Sequence, residues 1–224
     1  MDLLGVSRFS TNELLSSLRR VRLRGYDGAL VYRDAEIELV ESLDPRLVVP
    51  AQNYVLRGNV ERVGDLREAL RDWGVDPLRM TGGAYLRFRD APTAVTLLPP
   101  ILEESVEVDG KKCLLVSDGL HRLFYAFSRY VAISAVVVRG ATHPYYAFAL
   151  PGGWNDVKML DSLPATYQKK VYRQPENYKA LFRDFNSVFP NVQSQRRKSN
   201  PNSLTPGGFV DPGEGAGPHY EQPS

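Results

Sequence analysis

An apolar strand signal, Cys113-Leu114-Leu115-Val116, runs without a linker into Ser117-Asp118-Gly119-Leu120-His121-Arg122, and a helix-compatible run over residues 120–130 leaves it. A glycine at such a strand-to-helix turn adopts backbone angles that other residues avoid. The first N–H groups of the new helix then have no intrahelical partner, and the positive end of its dipole points at the turn. Those donors form an anion site, to which His121 and Arg122 add side-chain donors. Asp118 is the one carboxylate of the turn and has two readings, a magnesium ligand or the N-cap of the following helix. The turn, Ser117 to Arg122, is thus the candidate place for a phosphate and its metal ion.

The pattern around this turn resembles the ParB/sulfiredoxin superfamily. Asp118-Gly119-Leu120-His121-Arg122 matches an Asp-Gly-x-His-Arg motif after a strand, with the small Ala126 four positions beyond Arg122. Leu98-Pro99-Pro100-Ile101 precedes a hairpin of residues 104–108 and 112–116, turned at Asp109-Gly110, and a strand over 132–138 follows the helix. Upstream, Leu47-Val48-Val49-Pro50 and a helical segment over 65–73 resemble the opening strand and helix of that family. The resemblance spans residues 45–140.

It implies an α+β fold, a small mixed sheet with packed helices, and adds function to the site. Sulfiredoxins place a Cys immediately before His-Arg where this chain has Leu120, which argues against sulfinic-acid repair. ParB-type CTPases carry Gly-Glu-Arg-Arg, and here Leu120 and His121 replace the Glu and the first Arg. The free-serine kinases of the superfamily carry Asp-Gly-His-His-Arg, the closest of the three. The resemblance therefore implies a nucleotide-dependent phosphotransferase, like a small-molecule kinase, or an NTPase. Its cofactor would be Mg²⁺ with a nucleoside tri- or diphosphate, and a small-molecule acceptor is possible in the kinase case. Asp118 and His121 would be catalytic, Asp118 the metal ligand, and Ser117, Gly119, Leu120, His121 and Arg122 the phosphate contacts. Family members use the loop between first strand and first helix around nucleotide or acceptor, which makes Arg57 and Arg62, flanking Gly58, further candidate phosphate contacts. The alternative is a non-catalytic nucleotide-sensing or DNA-associated adaptor of a plasmid or defence locus. No helix-turn-helix signal follows the fold, as a partition protein would require.

Outside residues 45–140 the chain divides by composition. Residues 1–44 carry a capping box at Ser10–Glu13 followed by Leu14, Leu15 and Leu18 at helical spacing, then a hairpin of residues 29–32 and 36–40. In residues 76–97, Gly82-Gly83 with alternating Tyr85, Arg87 and Arg89 suggests an added hairpin or flap. Residues 141–192 are aromatic-rich, with helices expected from Asn155 and from Pro175 packed on the core. Tyr145, Tyr146 and Trp154 are read as packing rather than base-stacking, and His143 as a hydrogen-bonded packing residue. Residues 193–224 are nearly free of apolar side chains and read as a disordered tail. Within it, Arg196-Arg197-Lys198 is a short basic run with nearby acids, so non-specific electrostatics is its default role.

The remaining side chains bound the function classes. Glu103 and Glu104 are expected at a solvated strand edge. The single cysteine, Cys113, excludes an internal disulfide and a cysteine-based zinc cluster, and it lies within a strand where it packs. A net charge of +2 argues against the strong basic field of a dedicated nucleic-acid binder. The longest apolar run, residues 130–138, is too short to span a bilayer. Ser, Asn, Glu and Arg interrupt the opening residues, so no signal-peptide pattern is expected. The chain reads as a cytoplasmic protein without a membrane partner, bacterial by the resemblance.

Overall fold

Six consecutive buried residues in the strand Ile133–Arg139 require a sheet covered on both faces. The computed structural model, which describes residues 2–163 and 169–192, contains that sheet. Ile133–Arg139 lies between Glu36–Leu43, antiparallel to it, and Ile101–Val106, parallel to it. Ile101–Val106 turns back through the expected hairpin into Lys112–Asp118, and Val48–Val49 joins in parallel at the far edge. The result is a five-stranded mixed sheet within an α+β fold.

Alternation along the central strands sends side chains to two different layers. On one face Leu102, Val116, Ala135 and Val137 meet Val60, Val63, Leu123 and Ala126 of the α-helices Arg57–Arg71 and Leu120–Ser128. On the other, Ile101, Val136 and Val138 meet Leu14 and Leu18 of the α-helix Thr11–Leu18, together with Phe185 and Phe189. The N- and C-terminal segments are thus the second covering layer of the sheet. The capping box is formed: the Ser10 hydroxyl accepts from the Glu13 amide, and the Glu13 carboxylate accepts from the Ser10 amide.

Several local expectations change. The N-terminal hairpin is absent. Leu30 makes a single bridge to Arg22, and Glu36–Leu43 pairs instead with Ile133–Arg139, a partner that buries Ile37 and Leu43. The helix expected over 65–73 begins at Arg57, because Tyr54–Leu56 runs directly into it. It ends at Arg71, with the expected stop Gly74 at φ +62°. The flap of residues 82–97 forms as a hairpin, Gly82–Phe88 with Val95–Leu97, and the strand Leu3–Ser10 completes a separate three-stranded sheet.

The C-terminal helices are also absent among the described residues. Residues Gly153–Asp156, Tyr178–Leu181 and Phe185–Ser187 are single 3-10 turns, separated by the short strands Lys158–Leu160 and Arg183–Asp184. Continuous helix would point Leu181 and Phe185 inward but leave Arg183 between them without its buried partner, described below. The tail expected to be disordered, with Arg196-Arg197-Lys198, lies outside the described residues. No described helix is long and apolar enough to cross a membrane.

Candidate phosphate site and the network beneath it

The strand from Lys112 runs two residues further than expected, to Asp118, and the helix Leu120–Ser128 follows, with Gly119 as N-cap at φ +86°. A Cβ on Gly119 would lie 2.8 Å from Pro100 Cβ, so both the backbone angle and the close approach demand glycine. Asp118 is therefore not the N-cap. Its carboxylate lies 3.5 Å from Arg122 Nη2, an i,i+4 pair with side chains 22% and 11% exposed. Arg122 Nη1 also donates to the Leu98 carbonyl, which ties the helix to the Pro99-Pro100 segment packed on Gly119. Burial pushes the Asp118 carboxyl above its ordinary range, against the pull of Arg122 and the Gly119 amide. Burial likewise pulls the Arg122 guanidinium down, with Asp118 opposing.

His121, in the first turn of this helix, faces the first turn of the other. Its Nε2 lies 3.5 Å from Asn59 Nδ2 in the helix Arg57–Arg71. Neither helix has a side-chain cap and neither carries an acidic residue in its first turn. Leu56, the N-cap of the Arg57–Arg71 helix, is among the poorest residues for that position. A Cβ on Gly58 would meet nothing within 4 Å, so packing does not explain this glycine. Arg57 opens the same turn, exposed, and its Nε donates to Asp161 Oδ1 at 2.7 Å, which draws the loop after Lys158–Leu160 to the rim. The structure therefore brings Gly119, His121, Asn59 and Gly58 to one place. Arg57 sits at its edge, and Leu120 turns partly into the helix-face core.

Ser117 lies elsewhere. The ladder pairs Ile101 with Asp118 and Leu102 with Val116, which leaves Ser117 as the bulge between them. Its side chain lies beside the Tyr32 phenol on the extension face of the sheet. Tyr32 donates in turn to Glu103 Oε1 at 2.7 Å. Glu103 is not at a solvated edge. It is 1% exposed in the centre of the sheet, because both faces are covered. Arg183 Nε and Nη2 grip its two oxygens at 2.9 and 2.7 Å, while the remaining donors reach the carbonyls of Leu181, His143 and Pro144. Glu104 faces outward and pairs with Lys112 at 3.0 Å.

The aromatic segment packs as expected. Trp154 is buried, donates to the Pro45 carbonyl and stacks on Phe127. Tyr145 is buried and donates to the Val116 carbonyl at 2.9 Å. The His143 ring lies against Tyr26, and its Nδ1 is 3.0 Å from the Thr142 hydroxyl. Lys170 reaches the Tyr145 and Tyr146 phenols, and although burial pushes the Tyr146 phenol up, Lys170 overrides it and leaves it below its ordinary value. Burial, with Glu107 beside it, pushes the Cys113 thiol up to about 11, consistent with an inert packing residue.

Sequence reasoning missed Asn59 and the network Tyr32–Glu103–Arg183. Leu56-Arg57-Gly58-Asn59 repeats the strand-to-helix arrangement of 116–121, a signal hidden by a helix start expected at 65. Arg183 had no local signal.

The family model for the ParB CE domain matches residues 13–158, which contain both helix N-termini, Tyr32 and Glu103. No curated protein and no solved structure matches the chain. On that match and this fold, the chain belongs to the ParB CE domain family.

Proposed function

We propose that this protein binds the phosphates of a nucleoside tri- or diphosphate over the first turns of the helices Arg57–Arg71 and Leu120–Ser128. The observation that carries the reading is the meeting of two helix N-termini at Asn59 and His121, both without side-chain caps and without first-turn acids. Two such ends offer N–H donors and two positive dipole ends to one anion. Gly58 supports it, since its open Cβ position leaves space at the same turn. His121 and Arg57 supply side-chain donors, while Arg122 acts chiefly by holding the turn.

The reaction that fits is phosphoryl transfer to an acceptor hydroxyl, or to water. His121 would take the proton of the attacking oxygen as the terminal phosphorus–oxygen bond breaks and the shortened nucleotide leaves. Magnesium arriving with the phosphates would find one carboxylate at the turn, Asp118, as a ligand beside the phosphate oxygens. Bound there, magnesium would neutralise charge on the leaving oxygens. The second reading is a non-catalytic sensor. It is favoured by the Asp118–Arg122 pair, which occupies the turn's one carboxylate.

Melting curves with ATP, CTP and GTP, each with and without magnesium, test binding. A ligand at 100 times its Kd stabilises the folded state by about 2.7 kcal/mol. Gly58→Ala should leave the ligand-free protein as stable or slightly more stable and weaken that shift. No shift with any nucleotide overturns the reading. Phosphate release from a nucleotide that binds, measured for the parent and for Asp118→Asn, then separates enzyme from sensor.

A further inference from the structure

Two consecutive residues just before the end of the strand Lys112–Asp118 each lie against a buried tyrosine. The Val116 carbonyl accepts from Tyr145 at 2.9 Å, and the Ser117 side chain lies beside the Tyr32 phenol. Both tyrosines rest on one ion pair: Tyr32 donates to Glu103, and the Tyr145 ring lies 5.5 Å from the Arg183 guanidinium. All four side chains are buried, and they come from four separated stretches of chain. Ser117 is the bulge that the ladder to Ile101–Val106 leaves unpaired. The next residues are Asp118 and Gly119, whose left-handed angle sets where the helix N-terminus points.

We infer that Tyr32 and Tyr145, braced by the buried Glu103–Arg183 pair, are positioning residues for the 117–119 turn. They couple the C-terminal segment around Arg183 to the orientation of the Leu120–Ser128 helix end. A packed apolar layer could cover this face of the sheet without reaching the turn. Instead, two phenol hydroxyls, one carboxylate and one guanidinium are buried in one network, with the Tyr145 hydroxyl bonded to the Val116 carbonyl and the Tyr32 phenol beside Ser117. A satisfied buried network of this kind fixes one geometry, because any shift leaves polar groups unpaired. Where the turn serves as a phosphate site, this inference rests on the function proposed above, and its effect is on affinity through geometry rather than through contact.

The test uses Tyr32→Phe and Tyr145→Phe, which keep the rings and remove only the hydroxyls, so that the fold survives. The first readout needs no ligand. The Leu123 amide donates to the Gly119 carbonyl at 3.1 Å, so its hydrogen exchange reports the turn. Val137 in the sheet interior reports the rest of the fold. Each variant should speed Leu123 exchange about tenfold, the scale of one buried hydrogen bond to a charged or polar partner, with Val137 changed less than about threefold. Equal acceleration at both amides, or none at Leu123, overturns the inference. The second readout is titration of ATP, CTP and GTP into the parent and both variants by calorimetry, with a roughly tenfold loss of affinity expected at temperatures where all are folded. Unchanged affinity for a nucleotide that the parent binds overturns the coupling. If the parent binds none of the three, the phosphate reading fails, and the exchange data alone decide whether the tyrosines set the turn.

Discussion

Replacing Arg183 with alanine should be the most damaging single substitution in the C-terminal segment. Arg183 and Glu103 are each 1% exposed at the side chain, and the guanidinium makes a two-pronged contact with the carboxylate at 2.9 and 2.7 Å. Burial pulls the guanidinium down, and the facing carboxylate overrides it, so Arg183 stays charged in the folded protein. Arg183→Ala leaves that carboxylate in the centre of the sheet with the Tyr32 hydroxyl as its one remaining hydrogen-bond donor among the described residues, and strips the carbonyls of Leu181, His143 and Pro144 of a donor. Removing one member of a buried pair costs about 3–5 kcal/mol. At about 2–4 °C per kcal/mol for a chain of this size, the melting temperature should fall by roughly 6–20 °C. Urea unfolding with linear extrapolation measures the loss directly, and an unchanged slope would show that the denatured state is the same. The companion double variant, Glu103→Leu with Arg183→Met, removes both charges and should recover more than half of the loss, since an apolar pair needs no compensation. The coupling energy of this cycle should be at least about 2 kcal/mol. A loss below about 1 kcal/mol for Arg183→Ala, or additive losses in the double variant, would refute the argument that this pair anchors the segment.

Gly119→Ala should lose about 2–3 kcal/mol in the same urea assay, because alanine is strained at φ +86° and its methyl meets Pro100. Cys113, raised to about 11, should be alkylated by iodoacetamide at pH 8 roughly a hundredfold more slowly in the folded than in the unfolded chain, measured by mass spectrometry. Burial first, and Glu103 second, push the Tyr32 phenol well above its ordinary value. The unfolded phenol ionises near pH 10 and the folded one does not, so the stabilisation present below about pH 10 is lost as pH rises beyond it. Tyr32→Phe should therefore show a shallower alkaline fall in melting temperature than the parent.

What could be read in the sequence was what depends on neighbours in sequence. The strand from residue 112, its glycine turn and the helix after it form one local grammar of apolar run, left-handed residue and amphipathic stripe, and they appear in the expected order, the strand reaching Asp118 instead of Val116. The capping box is equally local. The misplaced elements are those whose partner lies far along the chain. Glu36–Leu43 pairs with Ile133–Arg139 rather than with its neighbour, and the apolar residues 178–185 bend so that Arg183 can meet Glu103, 80 residues away. Glu103 was misread for the same reason: a glutamate in a strand looks solvated until both faces of the sheet are known to be covered. The Asn59–His121 contact was likewise hidden, since nothing in either segment announces that the two helix starts face each other.

Arg122 shows why the site must be probed through Asp118. Its Nη1 holds the Leu98 carbonyl and its Nη2 faces Asp118, so Arg122→Ala would loosen the turn whether or not a phosphate binds there. Lysine could not substitute, because a point charge cannot span both acceptors. Asp118→Asn is cleaner. The amide keeps the shape and can still accept from the Gly119 amide, and the lost attraction is that of a pair 3.5 Å apart. Its consequences for binding and for chemistry carry opposite signs. A carboxylate repels phosphate oxygens brought to the same turn, so without magnesium the asparagine variant should bind nucleotide several-fold more tightly. A carboxylate that ligands magnesium in the transition state lowers the barrier, so the same variant should turn over far more slowly. Tighter binding with lost turnover identifies an enzyme, and tighter binding in a protein that never turns over identifies a sensor. Unchanged affinity would mean that the phosphates do not lie at this turn.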